Sequence, residues 1–155
     1  MNYFNKQFKQ SISQEDKSWW EKFFKKPIDW DVDLKQEYDG IDAKIAGYNI
    51  QLKLREKYYE DILIEFAHSN GEKGWINKKQ KCNFLIYGWR NKDFIYIFEW
   101  NLIVEFWKNN NVFLFKKYGK NNIQAAQNEN KITYNFSIPF SDLNVKYKII
   151  KYGRE

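Results

Sequence analysis

Residues 38–66 read YDGIDAKIAGYNIQLKLREKYYEDILIEF, and they decide the fold. Apolar and polar residues alternate with period two on both sides of Gly47 and again after Asp61, the pattern of three consecutive strands. Ala46-Gly47-Tyr48-Asn49 places Gly at the first central position of a two-residue loop, as a type II′ turn requires. That register sets Asp42 opposite Lys53 and Lys44 opposite Gln51. Side chains alternate across a strand, so Asp42, Lys44, Gln51, Lys53 and Arg55 are expected on one face. Ile41, Ala43, Ile45, Ile50, Leu52 and Leu54 fall on the other. A symmetric loop from Glu56 to Glu60 extends the pairing to Arg55 with Asp61, Lys53 with Leu63 and Gln51 with Glu65, which brings Glu65 to the polar face.

A carboxylate, a second oxygen ligand and a lysine on adjoining strands are the parts needed to hold a hard divalent cation beside a phosphodiester. On these residues the stretch resembles the PD-(D/E)xK nuclease superfamily, whose signature is an aspartate at a strand start followed by an acid-x-lysine strand. The matching residues are Asp42 and Gln51-Leu52-Lys53. The run Tyr59 to Glu65, followed by Gly74-Trp75-Ile76, is similar to a group of phage-encoded members. Two positions depart from the pattern: Ile41 stands where the superfamily has proline, and Gln51 replaces the second acid, offering a carbonyl ligand without charge. The resemblance implies a restriction-endonuclease-like core and a metal-dependent deoxyribonuclease. Asp42, Gln51 and Glu65 would hold Mg²⁺ or Mn²⁺, and Lys53 would orient the attacking water or neutralise charge on the phosphorane. Lys44, Arg55 and Lys57 would position the DNA backbone.

Two other readings stand beside this one. The same residues can form a solvent-facing hairpin with cross-strand ion pairs, Asp42 with Lys53 and Arg55 with Asp61, each worth at most about 1 kcal/mol. A nuclease-like fold that no longer cuts can instead bind nucleic acid or a host protein, for example as a phage factor acting against a defence system. Gln51 favours that alternative.

Composition narrows the classes. The 155 residues fit one domain spanning 1–155, a length that buries roughly two-thirds of the unfolded surface. The 26 Lys and Arg against 20 Asp and Glu give +6, which favours polyanionic partners without choosing DNA over RNA. Cys82 is the only cysteine and His68 the only histidine, so an internal disulfide, a zinc finger and a zinc hydrolase are excluded. No P-loop and no GxGxxG occurs. The N-terminus lacks a charged-then-apolar leader pattern and no run reaches the length of a membrane span. A cytoplasmic location is expected, the host cytoplasm for a phage-encoded chain.

In chain order, residues 1–12 are expected to be loosely held. Ser13 caps a helix carrying Trp19, Trp20, Phe23 and Phe24, which ends by Pro27. Glu15 or Glu21 on it either assists the metal site, as the resemblance implies, or faces solvent. The acidic run Asp29 to Asp33 resembles the start of an EF-hand loop. Leu34 and Gly40 at the sixth and twelfth positions exclude it, and Asp39 is left as an outer metal candidate. The loop His68 to Gly74, with His68 at the surface, leads to Trp75, which either stacks on a base or is a buried anchor. Lys78 and Lys79 open the basic KKQK patch and are candidates for nucleic-acid contact. Strands are expected at Cys82 to Tyr87 and Asp93 to Phe98. A helix from Trp100 to Trp107 is broken by Asn109-Asn110-Asn111, a helix or strand restarts at Val112 to Phe115, residues 116–130 form a mobile or partly helical loop, and strands at Ile132 to Ile138 and Val145 to Tyr152 close the chain. The sum is an α+β domain built on a mixed sheet of about five or six strands flanked by helices.

Overall fold

Ser13 opens the first helix, α1 (Gln14–Glu21), by accepting a hydrogen bond at its Oγ from the Asp16 amide. The computed structural model describes residues 12–127 and 130–153, and the expectation for the first eleven residues lies outside them. The strands are β1 (Ile28–Asp29), β2 (Ala43–Ile45), β3 (Tyr48–Arg55), β4 (Asp61–His68), β5 (Phe84–Trp89), β6 (Phe94–Glu99), β7 (Ile123–Gln127), β8 (Ile132–Pro139) and β9 (Tyr147–Lys151). Two further helices are α2 (Leu34–Tyr38) and α3 (Trp100–Tyr118). The fold is α+β. A mixed six-stranded sheet runs β1-β2-β3-β5-β6-β9, with β3 and β5 parallel and the other neighbours antiparallel, and a second sheet runs β4-β8-β7.

The large sheet is covered on both faces, as sheets with parallel pairs usually are. Ala43, Ile50, Leu52 and Ile86 point to α1, where Trp20 and Phe23 close a smaller core. Leu85, Tyr87, Trp89 and Phe98 point the other way and pack with Ile62 and Ile64 of β4, Phe136 of β8, and Trp100, Ile103 and Trp107 of α3. Gln51, Lys53 and Arg55 lie beside Leu85, Tyr87 and Trp89 in the parallel register, so the polar face of the hairpin looks toward the larger core. Ile41, expected with Ala43, packs in that larger core too.

Four expectations are corrected. The β2–β3 hairpin is two-residue, but its central residues are Ala46 and Gly47, both at positive φ (51° and 83°), the type I′ conformation. Tyr48 and Asn49 are strand residues because Tyr48 packs on Phe84 and Asn49 is pinned by Asn83 Oδ1 and the Lys81 carbonyl. Lys44 therefore pairs with Asn49, and the faces survive because the shift is an even number of residues. The strand after the hairpin, β4, leaves the sheet and pairs with β8, so Glu65 is opposite Asn135 and not Gln51. Helix α3 runs straight through the asparagines: Asn110 and Asn111 donate to the carbonyls of Phe106 and Trp107 four residues back, and Leu114 is buried a turn later. The stretch expected as a loop to residue 130 contains β7, an edge strand.

A tyrosine hydroxyl ties the two sheets together by a backbone bond. The Tyr87 hydroxyl donates to the Leu63 carbonyl at 2.7 Å and accepts from the Leu63 amide at 3.1 Å, so β4 is bonded to the large sheet without a ladder. Burial pushes the phenol far above its ordinary value, which keeps it neutral and able to donate. Tyr87→Phe is expected to leave both groups of Leu63 without that partner and to lower stability by about 1–3 kcal/mol. A shift of the urea midpoint at unchanged m value measures it; an unshifted midpoint refutes the link.

Candidate active site

Asp42 is set between α2 and β2 by a chain of local constraints. Asp33 caps α2 in a reciprocal capping box with Gln36, the helix ends at Asp39, and the Ile41 amide donates back to the Gln36 carbonyl. The Asp42 amide then donates to the Ile50 carbonyl at 2.8 Å, while its Oδ2 accepts from the Leu52 amide at 2.8 Å. Through its amide and its carboxylate together, Asp42 thus brackets Gln51 on the neighbouring strand. Gln51 is buried, 6% exposed, and its Oε1 has no hydrogen-bond partner.

The electrostatics of Asp42 set three effects against each other. Burial raises its pKa, and the Lys53 ammonium and the Leu52 amide lower it; burial wins. Asp42 also lines a cavity of about 370 Å³ together with Trp30, Asp31, Val32, Glu37 and Lys17. Trp30 is oriented by its indole N–H, which donates to Glu21 Oε1 at 3.0 Å. Glu21 thereby fixes Trp30 at the cavity wall. Cys82 closes the cluster from below, with Sγ 3.1 Å from the Gly40 carbonyl. Burial, and after it the Asp42 charge, pushes its thiol up to about 12, so it is no nucleophile at neutral pH.

Lys53 is half-buried, with Nζ 5.5 Å from the centre of the Trp75 ring. Trp75 is 4% exposed and packs on Trp100, which leaves no face for a base; the stacking role is corrected to that of an anchor. Its amide donates to Glu65 Oε1 at 3.3 Å, and the same oxygen lies 2.9 Å from His68 Nε2. Glu65 therefore holds Trp75, which in turn supports Lys53, and no contact joins Glu65 to Asp42 or Gln51 among the described residues. His68, expected at the surface, is 8% exposed, its other nitrogen 3.1 Å from Thr133 Oγ1.

The outer candidates divide. Arg55 is committed to Asp61 at 2.7 Å in a half-buried pair that Ser137 completes, so its expected contact with a DNA backbone is replaced by a structural one. Lys44 is half-buried in the centre of β2; Lys57, Lys78 and Lys79 are exposed. Asp39 faces Lys81, with Oδ2 3.9 Å from Nζ. Among the described residues no three His, Cys, Asp or Glu side chains gather as a metal site would require. Asp42 and Gln51, whose side-chain oxygen has no partner, are neighbours across the β2–β3 register, with the Lys53 charge acting on the first.

Fold and site together define an α+β protein with an aspartate–glutamine–lysine cluster at the edge of a carboxylate-lined cavity. Comparison with family models, with curated proteins and with solved structures finds no match.

The balance at Asp42 has a sign that can be checked. A carboxyl whose folded pKa is raised contributes full stability below its unfolded value and loses it as pH rises through the folded value. Asp42→Asn keeps an acceptor for the Leu52 amide without the charge, so in EDTA it is expected to unfold at a higher temperature than the parent at pH 7. The gap should close as the pH falls toward the ordinary carboxyl value of 3.8. Thermal melts from pH 7 to pH 4 measure it, and a variant less stable than the parent at pH 7 contradicts the balance.

Proposed function

We propose that the protein is a metal-dependent nuclease that hydrolyses phosphodiester bonds of DNA. The observation that carries this reading is the buried Gln51 Oε1 left without a partner beside a desolvated Asp42 carboxylate. A protein interior seldom leaves such an atom unpaired unless something else is to occupy it. Two oxygen donors suit a hard cation, and Mg²⁺ characteristically takes one or two protein ligands and fills its shell with water and substrate oxygens. Asp42 and Gln51 would hold the ion. When bound, Mg²⁺ or Mn²⁺ polarises the phosphate and acidifies a coordinated water.

The chain's own residues do the rest. Asp42 gives the site its negative charge, and Lys53 sits close enough to compensate it and to meet charge developing on the phosphate oxygens. Trp75 supports the lysine stem, with its own amide fixed by Glu65; in this reading Glu65 is a positioning residue, not a ligand. Lys57 and Lys44 remain for the substrate backbone.

A specific observation favours the second reading, a nuclease-like fold that binds nucleic acid or a host protein without cutting. Gln51 supplies no charge, and Glu65 is engaged with His68 and Trp75. The two separate by experiment. The nuclease reading expects Mg²⁺- or Mn²⁺-dependent cleavage of plasmid or of linear single or double strands. Lys53→Ala should lower it by about 100-fold or more, the scale of one lost transition-state contact, with binding in EDTA retained. Gln51→Glu should keep or raise activity, melt at a lower temperature in EDTA because it buries a second carboxylate, and regain stability on addition of Mg²⁺. Absence of cleavage by the parent and by Gln51→Glu alike would leave the binding-only reading.

A further inference from the structure

We infer that the cleft between α3 and residues 76–80 binds a single strand of nucleic acid, with Lys78, Lys79 and Lys108 on its phosphates. The cleft has a volume of about 470 Å³, and no carboxylate lines it. Its floor is formed by the half-buried Val104, with the buried Trp107 beside it. Lys108 lies one turn beyond Val104, which puts both on the same face of α3, and Asn101 continues that face toward the helix start.

Unpaired charge and a fixed backbone meet at this cleft. None of the three lysines is in an ion pair with a described residue, whereas Lys22, Lys81, Lys117 and Lys131 each are. The segment that carries Lys78 and Lys79 is clamped at both ends. Trp75 N–H bonds Glu65, Asn77 Nδ2 donates to the Phe66 carbonyl at 3.1 Å, and the Lys81 amide donates to the Asp39 carbonyl at 3.1 Å. The two lysines are therefore presented on a fixed backbone, which reduces the ordering cost of binding.

The same clamp fixes the cleft relative to the Asp42 cluster. One end of the segment is bonded to Asp39, three residues before Asp42, and the other carries Trp75 against Lys53. The cavity on the Asp42 side is lined by three carboxylates, Asp31, Glu37 and Asp42, against Lys17 alone, and repels phosphates without a cation. The lysine cleft attracts them. A single strand can lay its phosphates on the lysines and turn its bases to an apolar floor, whereas a duplex keeps its bases stacked inside and offers the floor nothing. The inference rests on the nuclease reading for its substrate class but not on that reading's chemistry.

The test is fluorescence anisotropy in EDTA with a labelled DNA oligonucleotide, single-stranded or annealed to its complement. The proteins are the parent, the triple variant Lys78→Ala/Lys79→Ala/Lys108→Ala, the triple Lys→Arg variant, and Lys148→Ala/Lys151→Ala on exposed β9 as a control. The parent should bind the single strand more tightly than the duplex. The alanine triple should lose about tenfold or more at low salt, and its slope of log affinity against log salt should fall by about 2, roughly 0.7 per phosphate contact. The arginine triple and the β9 control should bind as the parent does. Unchanged affinity and slope in the alanine triple, equal loss in the β9 control, a preference for duplex, or no binding by the parent would each overturn the inference. Cleavage is read separately. If the alanine triple loses binding while the parent shows no divalent-dependent cutting, the cleft stands and the nuclease reading falls; if the parent cuts and the alanine triple binds normally, the reverse holds.

Discussion

The Tyr87 hydroxyl, bonded to both the amide and the carbonyl of Leu63, is the contact on which the arrangement of this protein depends. A strand that leaves a sheet must find other partners for its backbone, because buried N–H and C=O groups are seldom left unpaired. β4 pairs with β8 along one edge, and Tyr87 reaches up from β5 to satisfy Leu63 on the other. That bond lets two sheets face each other across one core, with Trp89, Phe98, Trp107 and Phe136 filling the space between. It also explains why the chain is so rich in aromatic residues: the gap between the sheets is filled by large rings in edge and tilted contacts.

The candidate site follows from the same geometry. Because β4 lies over the large sheet, the face of β3 that carries Gln51, Lys53 and Arg55 is partly roofed, and each of these polar groups needs an answer. Arg55 finds Asp61, and Lys53 finds the field of Asp42 and the ring of Trp75. Gln51 Oε1 finds nothing within the protein. That contrast is physical: two of the three are satisfied inside the protein, and the one that is not lies next to a carboxylate whose burial outweighs the charge and amide that favour its ionised form. The segment 75–82 then divides the surroundings into an acidic cavity and a basic cleft, and does so with a backbone fixed at both ends.

Several elements were legible because they rest on local rules. The Ser13 cap, the strands about residues 84–89 and 94–99, the start of α3 at Trp100 and the strand before Pro139 follow from capping chemistry and from the period of apolar residues. The asparagine run misled because asparagine disfavours a helix when nothing else is known. Here the cores on either side, Trp107 and Leu114, hold the helix together while the amides return to its own carbonyls. β7, with its Gln-Ala-Ala-Gln sequence, has no apolar alternation to read, and is a strand only because β8 offers it an edge. Likewise His68 carries no local mark of burial; it is drawn in by Glu65 and Thr133, the latter 65 residues away.

By itself the sequence determined the α+β class, the hairpin about Gly47, and the presence on it of one aspartate, one glutamine and one lysine of the same face, because capping, turn chemistry and strand alternation act over a few residues. The tertiary structure decided which of those residues meet. It slid the hairpin by pinning Asn49 to Asn83, so that Asp42 came to Gln51, and it carried β4 into another sheet, so that Glu65 went to Trp75 and His68. Such choices depend on partners tens of residues apart, whose competition is settled by packing volume and by the pairing of buried polar groups, quantities that no short stretch of sequence contains.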